Sequence, residues 1–224
     1  MRISIIIPVF NERNTILELV KRVEALSLDK EIIIVDDYSK DGTREILNEL
    51  NSGNIKVLFH KNNRGKGAAI RTALQFVTGD AVVIQDAELE VNPQEIPSLL
   101  KPIVDGKAEV VFGSRFKGRG EFRFITYFAN RFLTGLTNFL YNIHISDMET
   151  CYKCIKTKLI KSIELKSNGF DFEPEITAKV SKRGYRIFEV PISYRMRTSA
   201  QGKKIKWRDA LEAIYFLIKY RFKE

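Results

Sequence analysis

The sequence predicts an α/β fold, a doubly wound and mostly parallel sheet with flanking helices. Two observations predict it: short β-branched runs alternate with segments of helical periodicity, and most runs end in polar or turn residues. No run reaches the roughly 18 apolar residues of a membrane span, so none is expected. With 224 residues, 44% of them hydrophobic, the chain can fill one large core. We therefore expect a single domain over residues 1–224, with a C-terminal amphipathic helix.

The first half of the chain alternates strands and helices in the order β-α-β-α-β-α-β. β-branched runs that are apolar on both faces are typical of central parallel strands. Each run is followed by a polar loop, on the side where open α/β sheets bind ligands. The predicted strands are 2–8, 31–35, 55–59 and 81–85.

The second half is less regular. A helix through Ile96 and Ile103 leads to a strand with a basic end, and an amphipathic aromatic-rich segment follows. Two further helices, a last strand pair, a basic loop and a C-terminal helix complete the prediction. The segments are the strand 110–115, the aromatic segment 121–145, helices near 159–160 and after 170, the strand pair 186–194, the basic loop 195–206 and the helix from 207.

The most informative stretch is 82–90, where an apolar run ends abruptly in Asp86, Glu88 and Glu90. Carboxylates at the carboxyl end of a strand can hold a hard divalent cation, which can in turn hold a diphosphate. The stretch alone is equally compatible with a solvated loop.

Two other loops carry candidate ligands. Asp36 and Asp37 follow the second strand, and two adjacent acids exceed what one helix cap needs, although capping remains the alternative. The turn around Gly65 could cradle a phosphate with its N–H groups, but it is not a Walker sequence, and turn formation is the more common role.

Cys151 and Cys154 lack a second pair, which favours reduced thiols in a cytosolic protein.

Charge is concentrated at the C-terminal end. The formal net charge is +9, and residues 181–224 contain 12 Lys and Arg against 4 Asp and Glu. Candidate partners are nucleic acid, an anionic membrane surface or phosphorylated substrates. No recognised nucleic-acid-binding module is evident, which disfavours the first. The first strand begins at once, so we expect no signal peptide.

Seven motifs occur in one order over almost the whole chain and resemble family 2 glycosyltransferases of GT-A fold. Within that family the chain is similar to the dolichyl-phosphate mannose synthases and polyprenyl-phosphate glycosyltransferases. The motifs are Pro8-Val9-Phe10-Asn11-Glu12, Asp36-Asp37-Tyr38-Ser39-Lys40-Asp41-Gly42-Thr43, Gly65-Lys66-Gly67, Asp86-Ala87-Glu88-Leu89-Glu90, Gly113-Ser114-Arg115-Phe116, Ser146-Asp147-Met148-Glu149-Thr150 and Gly202-Lys203-Lys204-Ile205.

The resemblance implies sugar transfer from a nucleotide-sugar of GDP-mannose or UDP-glucose type to a polyprenyl phosphate. It divides the chain into a nucleotide-sugar-binding half, 1–116, and an acceptor-binding half, 117–224. It assigns catalytic roles to Arg115, Asp147 and Glu149, and it implies that Asp86, Glu88 and Glu90 hold Mg²⁺ or Mn²⁺. The donor and the phosphates are expected to be bound by Pro8, Phe10, Glu12, Asp36, Asp37, Gly65, Asp86, Arg195, Arg197, Lys203 and Lys204.

The chain departs from the family pattern at two positions. Glu88 stands where the family usually has Asp, and its extra methylene moves the oxygens by roughly one bond. Because Mg²⁺ requires oxygens at about 2.0–2.1 Å, metal affinity or choice is expected to differ, and an impaired enzyme is one outcome. Gln201 replaces a usual Glu, which removes a negative charge beside a phosphate-binding loop.

Several alternatives stay open at this point. A phosphate acceptor is largely dianionic near neutral pH, so Asp147 could position the acceptor, assist as a base or simply cap a loop. The segment 122–141 and the basic loop favour a peripheral site on the cytoplasmic membrane face, although a core helix or a dimer contact explains the aromatic residues equally well. The competing functions are a family 2 transferase with a saccharide acceptor and a non-catalytic nucleotide-sugar-binding protein. The oligomeric state is open.

Overall fold

In a computed structural model, which describes residues 1–50, 53–197 and 207–223, the predicted α/β fold class is confirmed. Seven of the described strands form one sheet in the order β3-β2-β1-β4-β7-β5-β8, and β6 and β9 pair separately. The strands are β1 Ile3–Val9, β2 Lys30–Asp36, β3 Ile55–Phe59, β4 Ala81–Ile84, β5 Val110–Ser114, β6 Gly120–Glu121, β7 Lys153–Lys156, β8 Ile187–Pro191 and β9 Tyr194–Arg195.

Helices cover both faces of the large sheet. On one face α1, α2 and α4 pack against alternate strand residues such as Ile5 and Ile7, and on the other α3, α6 and α7 pack against residues such as Ile6. The central strand β1 is therefore buried on both faces, as its unbroken apolar run predicts. The helices are α1 Ile16–Glu24, α2 Thr43–Leu50, α3 Lys66–Leu74, α4 Ile96–Val104, α5 Phe124–Tyr141, α6 Thr157–Ser162, α7 Phe172–Lys182 and α8 Trp207–Phe222, and a 3₁₀ turn, Pro93–Glu95, precedes α4.

The second half of the chain differs from the prediction in two missed strands, β6 and β7, and in one strand pairing. Sequence reasoning missed β7, which lies antiparallel between β4 and β5. A lysine in the run conceals it: Lys153 is 1% exposed and donates hydrogen bonds to the carbonyl oxygens of Met148 and Thr150. The predicted strand pair at 186–194 was wrong as a pair, because β8 pairs with β5 and β9 pairs with β6.

Helices α5 and α8 pack on each other and on α7 at one side of the domain, and they form a third core cluster. The C-terminal helix is where the sequence places it, but its orientation was not predicted. The inward face carries Ala213, Leu217 and Tyr220, whereas the predicted apolar positions Leu211 and Ile218 are exposed. On α5 the outward residues are also apolar: Phe124, Ile125, Phe128, Phe132 and Phe139.

Within the described ranges, none of the helices has the length and apolar character that crossing a bilayer requires.

Candidate active site

The carboxyl ends of β2, β1 and β4 lie side by side, so three acidic loops meet at one edge of the sheet. The first loop follows β1 and carries Glu12, the second follows β2 and carries Asp37, and the third follows β4 and carries Asp86, Glu88 and Glu90. Side chains tie the first two loops together. The Asn11 N–H donates to Ser39 Oγ at 2.8 Å, and the Glu12 N–H donates to Thr43 Oγ1 at 2.9 Å. Asn11 adopts φ 51°, a left-handed conformation that Asn tolerates, and this turns the chain sharply after β1.

Arg197 joins the first acidic loop to the third. Its Nη1 lies 3.1 and 3.0 Å from the two carboxylate oxygens of Glu12, and its Nη2 lies 3.4 Å from Glu88 Oε1. The Arg197 N–H donates to Glu90 Oε1 at 2.8 Å, and Tyr194 Oη donates to Glu90 Oε2 at 3.1 Å. The guanidinium that the resemblance assigned to phosphate is therefore in contact with carboxylates.

Asp86 is held by a different cation. Lys66 Nζ lies 2.7 Å from Asp86 Oδ1, donates to Oδ2 at 3.0 Å, and lies 2.8 Å from Glu173 Oε1. Burial lowers the pKa of Lys66, but the charges of Asp86 and Glu173 outweigh it and raise the pKa well above its usual value. The ammonium therefore stays charged. Sequence reasoning did not place Glu173 in the site, because an acid in the first turn of a helix is already explained by the helix dipole. It also did not pair Lys66 with Asp86.

The donor set fits a divalent cation only in part. In the part of the chain that the structure describes, no three His, Cys, Asp or Glu side chains are grouped so that they could hold a metal ion. Mg²⁺, however, is usually bound by one or two carboxylates together with substrate phosphates. Asp86 and Glu88 are each 24% exposed and suit such a site. Both oxygens of Glu90 accept hydrogen bonds from the protein, so its geometry is that of a loop brace, and its metal role stays a prediction.

On the far side of β4, Arg115 and Asp147 form a closed ion pair. Arg115 Nε and Nη2 donate to the two Asp147 oxygens at 2.7 Å each, and the Arg115 N–H adds a third bond at 2.9 Å. Asp147 is fully buried, so its carboxylate positions the guanidinium and is poorly placed to act as a base. Burial lowers the pKa of Arg115, but the negative charge of Asp147 raises the pKa by more than burial lowers it, so the guanidinium keeps its proton.

Glu149, two residues after Asp147, lacks such a partner. Its Oε1 is buried and accepts no hydrogen bond from the described residues. Burial and then the charge of Glu173 raise the pKa of Glu149 to about 7, against the opposing charges of Lys153 and Arg115. Burial lowers the pKa of Lys153. Glu149 is therefore an acid that can change protonation state near neutral pH.

A groove of about 630 Å³ opens beside Arg115 and contains a second guanidinium, that of Arg131. Four of its eight lining residues are aromatic. The rings of Phe116 and Phe122 stack at 4.7 Å, and the Tyr127 ring meets Phe116 edge-on at 5.4 Å. The Arg131 guanidinium lies 5.5 Å from the Phe116 ring centre. Two cations and several rings in one groove suit a ligand with a phosphate and an apolar chain.

The predicted nucleotide loops have strong internal partners. Asp36 lies 3.1 Å from Arg44 Nε. Asp37 accepts hydrogen bonds from the N–H groups of Arg64 and Gly65 and lies 2.7 Å from His60 Nδ1. The acid pair therefore organises its own loop, and a role in donor binding stays a prediction.

The turn at Gly65 packs closely against the loop at residues 168–169. Gly65 has φ 90°, and a Cβ there would lie 2.3 Å from the Asn168 carbonyl oxygen. The N–H groups of Gly67 and Ala68 donate to the carbonyl oxygens of Gly169 and Asn168. Glycine is needed here for close packing against residues 168–169, and a role of Gly65 in phosphate binding stays a prediction.

The remaining predicted residues are scattered. Pro8 is buried within β1, and Phe10 is half-buried just beyond it. The Arg195 side chain is exposed, and its N–H donates to the Glu90 carbonyl oxygen at 2.8 Å. Lys203 and Lys204 lie outside the described residues.

The family model described as "Glycosyl transferase family 2" matches residues 4–163. The chain is 30% identical to an uncharacterised protein of Methanocaldococcus jannaschii, over 98% of this chain and 99% of that one. It is also 30% identical to the dolichol-phosphate mannosyltransferase of Pyrococcus furiosus and 27% identical to the low-salt glycan biosynthesis hexosyltransferase Agl6 of Haloferax volcanii. It spans only 64% and 48% of the lengths of these two relatives.

Among solved structures, the fold is similar to glucosyl-3-phosphoglycerate synthase of Mycobacterium tuberculosis in complex with UDP. The TM-score is 0.79 at 20% identity, over 99% of this chain and 80% of that one. The same enzyme in complex with Mn²⁺, UDP and glucosyl-3-phosphoglycerate gives a TM-score of 0.77 at 18% identity, with the same coverage. At this level of identity the similarity establishes the fold.

Proposed function

Because this chain belongs to glycosyl transferase family 2, we propose that it transfers a hexose from a nucleotide-sugar to a polyprenyl phosphate at a membrane surface. The observation that carries the proposal is the groove beside Arg115, which combines two guanidinium groups with aromatic walls. A polyprenyl phosphate has the matching chemistry, an anionic head on an apolar chain. The 30% identity to a dolichol-phosphate mannosyltransferase supports the same acceptor class.

On the donor side, Asp86 and Glu88 would hold Mg²⁺ or Mn²⁺, which supplies positive charge to the departing diphosphate. The mycobacterial synthase of similar fold was crystallised with Mn²⁺ or Mg²⁺ and UDP. In this chain the proposed cation would have to exchange with Lys66 and Arg197, which already contact the two acids.

On the acceptor side, the proposed nucleophile is a phosphate oxygen. It is largely dianionic near neutral pH, its second pKa being about 6, so it needs no base. Its attack forms a bond from that oxygen to the anomeric carbon, while the bond from the same carbon to the nucleoside diphosphate breaks, and the configuration inverts. Arg115, fixed by Asp147, and Arg131 would position the phosphate and offset its repulsion from the donor diphosphate.

The proposed membrane contact uses the outward faces of α5 and α8. Phe124, Ile125 and Phe139 are 78%, 81% and 84% exposed. Large apolar side chains grouped on a surface mark a contact with a membrane or another protein more often than with water alone. Aromatic side chains at such a face favour the lipid interface, and each nearby Lys or Arg adds about 1 kcal/mol at an anionic leaflet. The groove lies beside the first turn of α5, so an acceptor could enter from the bilayer.

The test is a transfer assay with GDP-mannose and UDP-glucose against a short polyprenyl phosphate, each with Mg²⁺ and with Mn²⁺. Product is expected with the phosphate and not with the matching polyprenol, because the alcohol carries no charge for the guanidinium groups. Equal transfer to the polyprenol, to a neutral saccharide or to 3-phosphoglycerate would overturn the acceptor class. Donor binding without any transfer would favour a non-catalytic nucleotide-sugar-binding protein.

A further inference from the structure

Lys66 is the residue that links the proposed donor site to the acceptor half of the chain. Its ammonium lies 2.7 Å from Asp86 and 2.8 Å from Glu173, and its side chain is only 12% exposed. Asp86 follows β4, whereas Glu173 lies in the first turn of α7. One buried positive charge is thus shared by two carboxylates that come from opposite halves of the chain.

An ammonium in this position and a divalent cation require the same oxygens. Lys66 Nζ is within 3.0 Å of both oxygens of Asp86. A Mg²⁺ ion would bind one of them at about 2.0–2.1 Å, and the two cations would then repel each other at close range. Binding a metal at Asp86 therefore requires the ammonium to withdraw.

Glu173 gives the ammonium a place to withdraw to. Its residue is 4% exposed, and its Oε2 is buried without a hydrogen bond from any described residue. The backbone on either side is fixed, because the N–H groups of Gly67 and Ala68 bond to the carbonyl oxygens of residues 168–169. Only the Lys66 side chain has to move, from a position between two acids to one on Glu173 alone.

We propose that Lys66 is a positioning residue that competes with the divalent cation for Asp86, and that Glu173 retains the ammonium when the cation takes Asp86. The inference rests on the metal site of the proposed function. Under this proposal, metal affinity depends on whether the Lys66 ammonium pairs with Asp86 or with Glu173.

The test measures Mn²⁺ affinity by electron paramagnetic resonance in the presence of UDP or GDP, without any acceptor. Lys66→Met should tighten binding about tenfold, because Asp86 loses its competitor. Glu173→Gln should weaken binding about tenfold, because Lys66 then pairs with Asp86 alone. Lys66→Gln, which keeps polar N–H groups without the charge, repeats the first measurement if the Met variant unfolds.

The double variant separates this mechanism from a simple effect of charge. If Glu173 acts through Lys66, the Lys66→Met/Glu173→Gln protein binds Mn²⁺ as tightly as Lys66→Met alone. If the charges of Lys66 and Glu173 act on the metal independently through electrostatics alone, the effects of the two substitutions cancel. The affinity then returns to that of the unmodified protein. The second result would overturn the proposal, as would weaker binding by Lys66→Met.

Lys179 and Glu175 provide a matched control. Their ion pair is 2.6 Å long, with Lys179 13% exposed and Glu175 fully buried, but neither contacts Asp86. Lys179→Met and Glu175→Gln should leave Mn²⁺ affinity unchanged. If the unmodified protein binds Mn²⁺ but the Lys66 and Glu173 variants do not alter it, this inference alone is overturned. If it binds no Mn²⁺ with either nucleotide, the proposed metal site is overturned as well.

Discussion

Two arginines at the same edge of the sheet are held in opposite ways. Among the described carboxylates Arg115 pairs with Asp147, which it contacts through two 2.7 Å bonds and a backbone bond, and the acid is fully buried. Arg197 is shared by the carboxylates of Glu12, Glu88 and Glu90, at distances from 3.0 to 3.9 Å. Neither the residue type nor the charge distinguishes them, so the difference comes from the surroundings.

The difference indicates different tasks. A bidentate pair in a dry site is rigid, and removing either partner leaves an uncompensated buried charge. Arg197 is shared by three acids, and its side-chain contacts to the two that are partly open to solvent, Glu88 and Glu90, are longer, so another cation can replace it there. We therefore read Arg115 as a fixed positive charge and Arg197 as a replaceable one.

The largest expected effect is the loss of the fixed pair. Asp147→Asn should reduce the free energy of unfolding by about 3–5 kcal/mol, because Arg115 stays charged without a counter-ion. Urea unfolding followed by circular dichroism measures it. An Arg115→Met/Asp147→Leu protein, which removes both charges, should recover part of the loss. A cost below about 1 kcal/mol for Asp147→Asn would mean that Arg115 is no more fixed than Arg197.

The next largest expected effect is a pH dependence of the free energy of unfolding, which arises from Glu149 near the Arg115–Asp147 pair. Its pKa is raised from 4.5 to about 7, so the folded protein binds more protons than the unfolded chain between these values. Stability from this group is present below pH 4.5 and falls as the pH rises through the window. Glu149→Gln should remove on the order of 1–3 kcal/mol of difference between pH 5 and pH 8 in urea unfolding. The exposed Glu45→Gln is the control, and an unchanged slope in Glu149→Gln would contradict the assignment.

A third arginine sharpens the comparison on the acceptor side. Arg131 is exposed, and in the described part of the chain it forms no ion pair, only a contact with the Phe116 ring. Arg131→Met should lower kcat/KM for a polyprenyl phosphate about tenfold, roughly the loss of one hydrogen bond to a charged group. Nucleoside diphosphate affinity should not change. Arg183→Met, an exposed arginine bonded to Ser162, is the control, and an equal loss there would remove the acceptor role of Arg131.

The smallest expected effect is the loss of the replaceable charge. Arg197→Gln should lower the free energy of unfolding by only about 1 kcal/mol, because Glu88 and Glu90 are partly open to solvent and the buried Glu12 keeps a hydrogen bond from the Thr15 hydroxyl. Millimolar Mg²⁺ should restore this stability, since the freed carboxylates can bind it. Thermal unfolding with and without Mg²⁺ measures both. A loss as large as that of Asp147→Asn, with no recovery in Mg²⁺, would erase the distinction between the two arginines.

Much of the fold could be predicted because each parallel strand is specified by its own short stretch of sequence. The run Ile55–Phe59 was predicted with its observed bounds, and β1, β2, β4 and β5 within two residues, since apolar β-branched runs specify strands buried on both faces. β7 could not be found this way. Its lysine is paired with carbonyl oxygens from residues 148 and 150, which no local pattern reveals.

The candidate site was predictable to the level of loops but not of contacts. Acids at the ends of β2 and β4 are visible in the sequence, and the fold brings those loops together. Their partners are not visible, because Lys66 and Asp86 are 20 residues apart and Arg197 and Glu12 are 185 apart. The orientation of α8 was missed for a related reason: its outward face is as apolar as its inward one.

In the seven-stranded sheet of the described residues, the reversed strand β7 has a geometric consequence for how such a site can be assembled. Because β7 runs against β4 and β5, the residues leading into it emerge at the same rim as those leaving its two neighbours. A parallel strand of the same four residues would have put that lead-in roughly 13 Å away, on the opposite rim. One change of direction thus delivers Asp147 and Glu149 to the rim that holds Asp86, without an additional crossover.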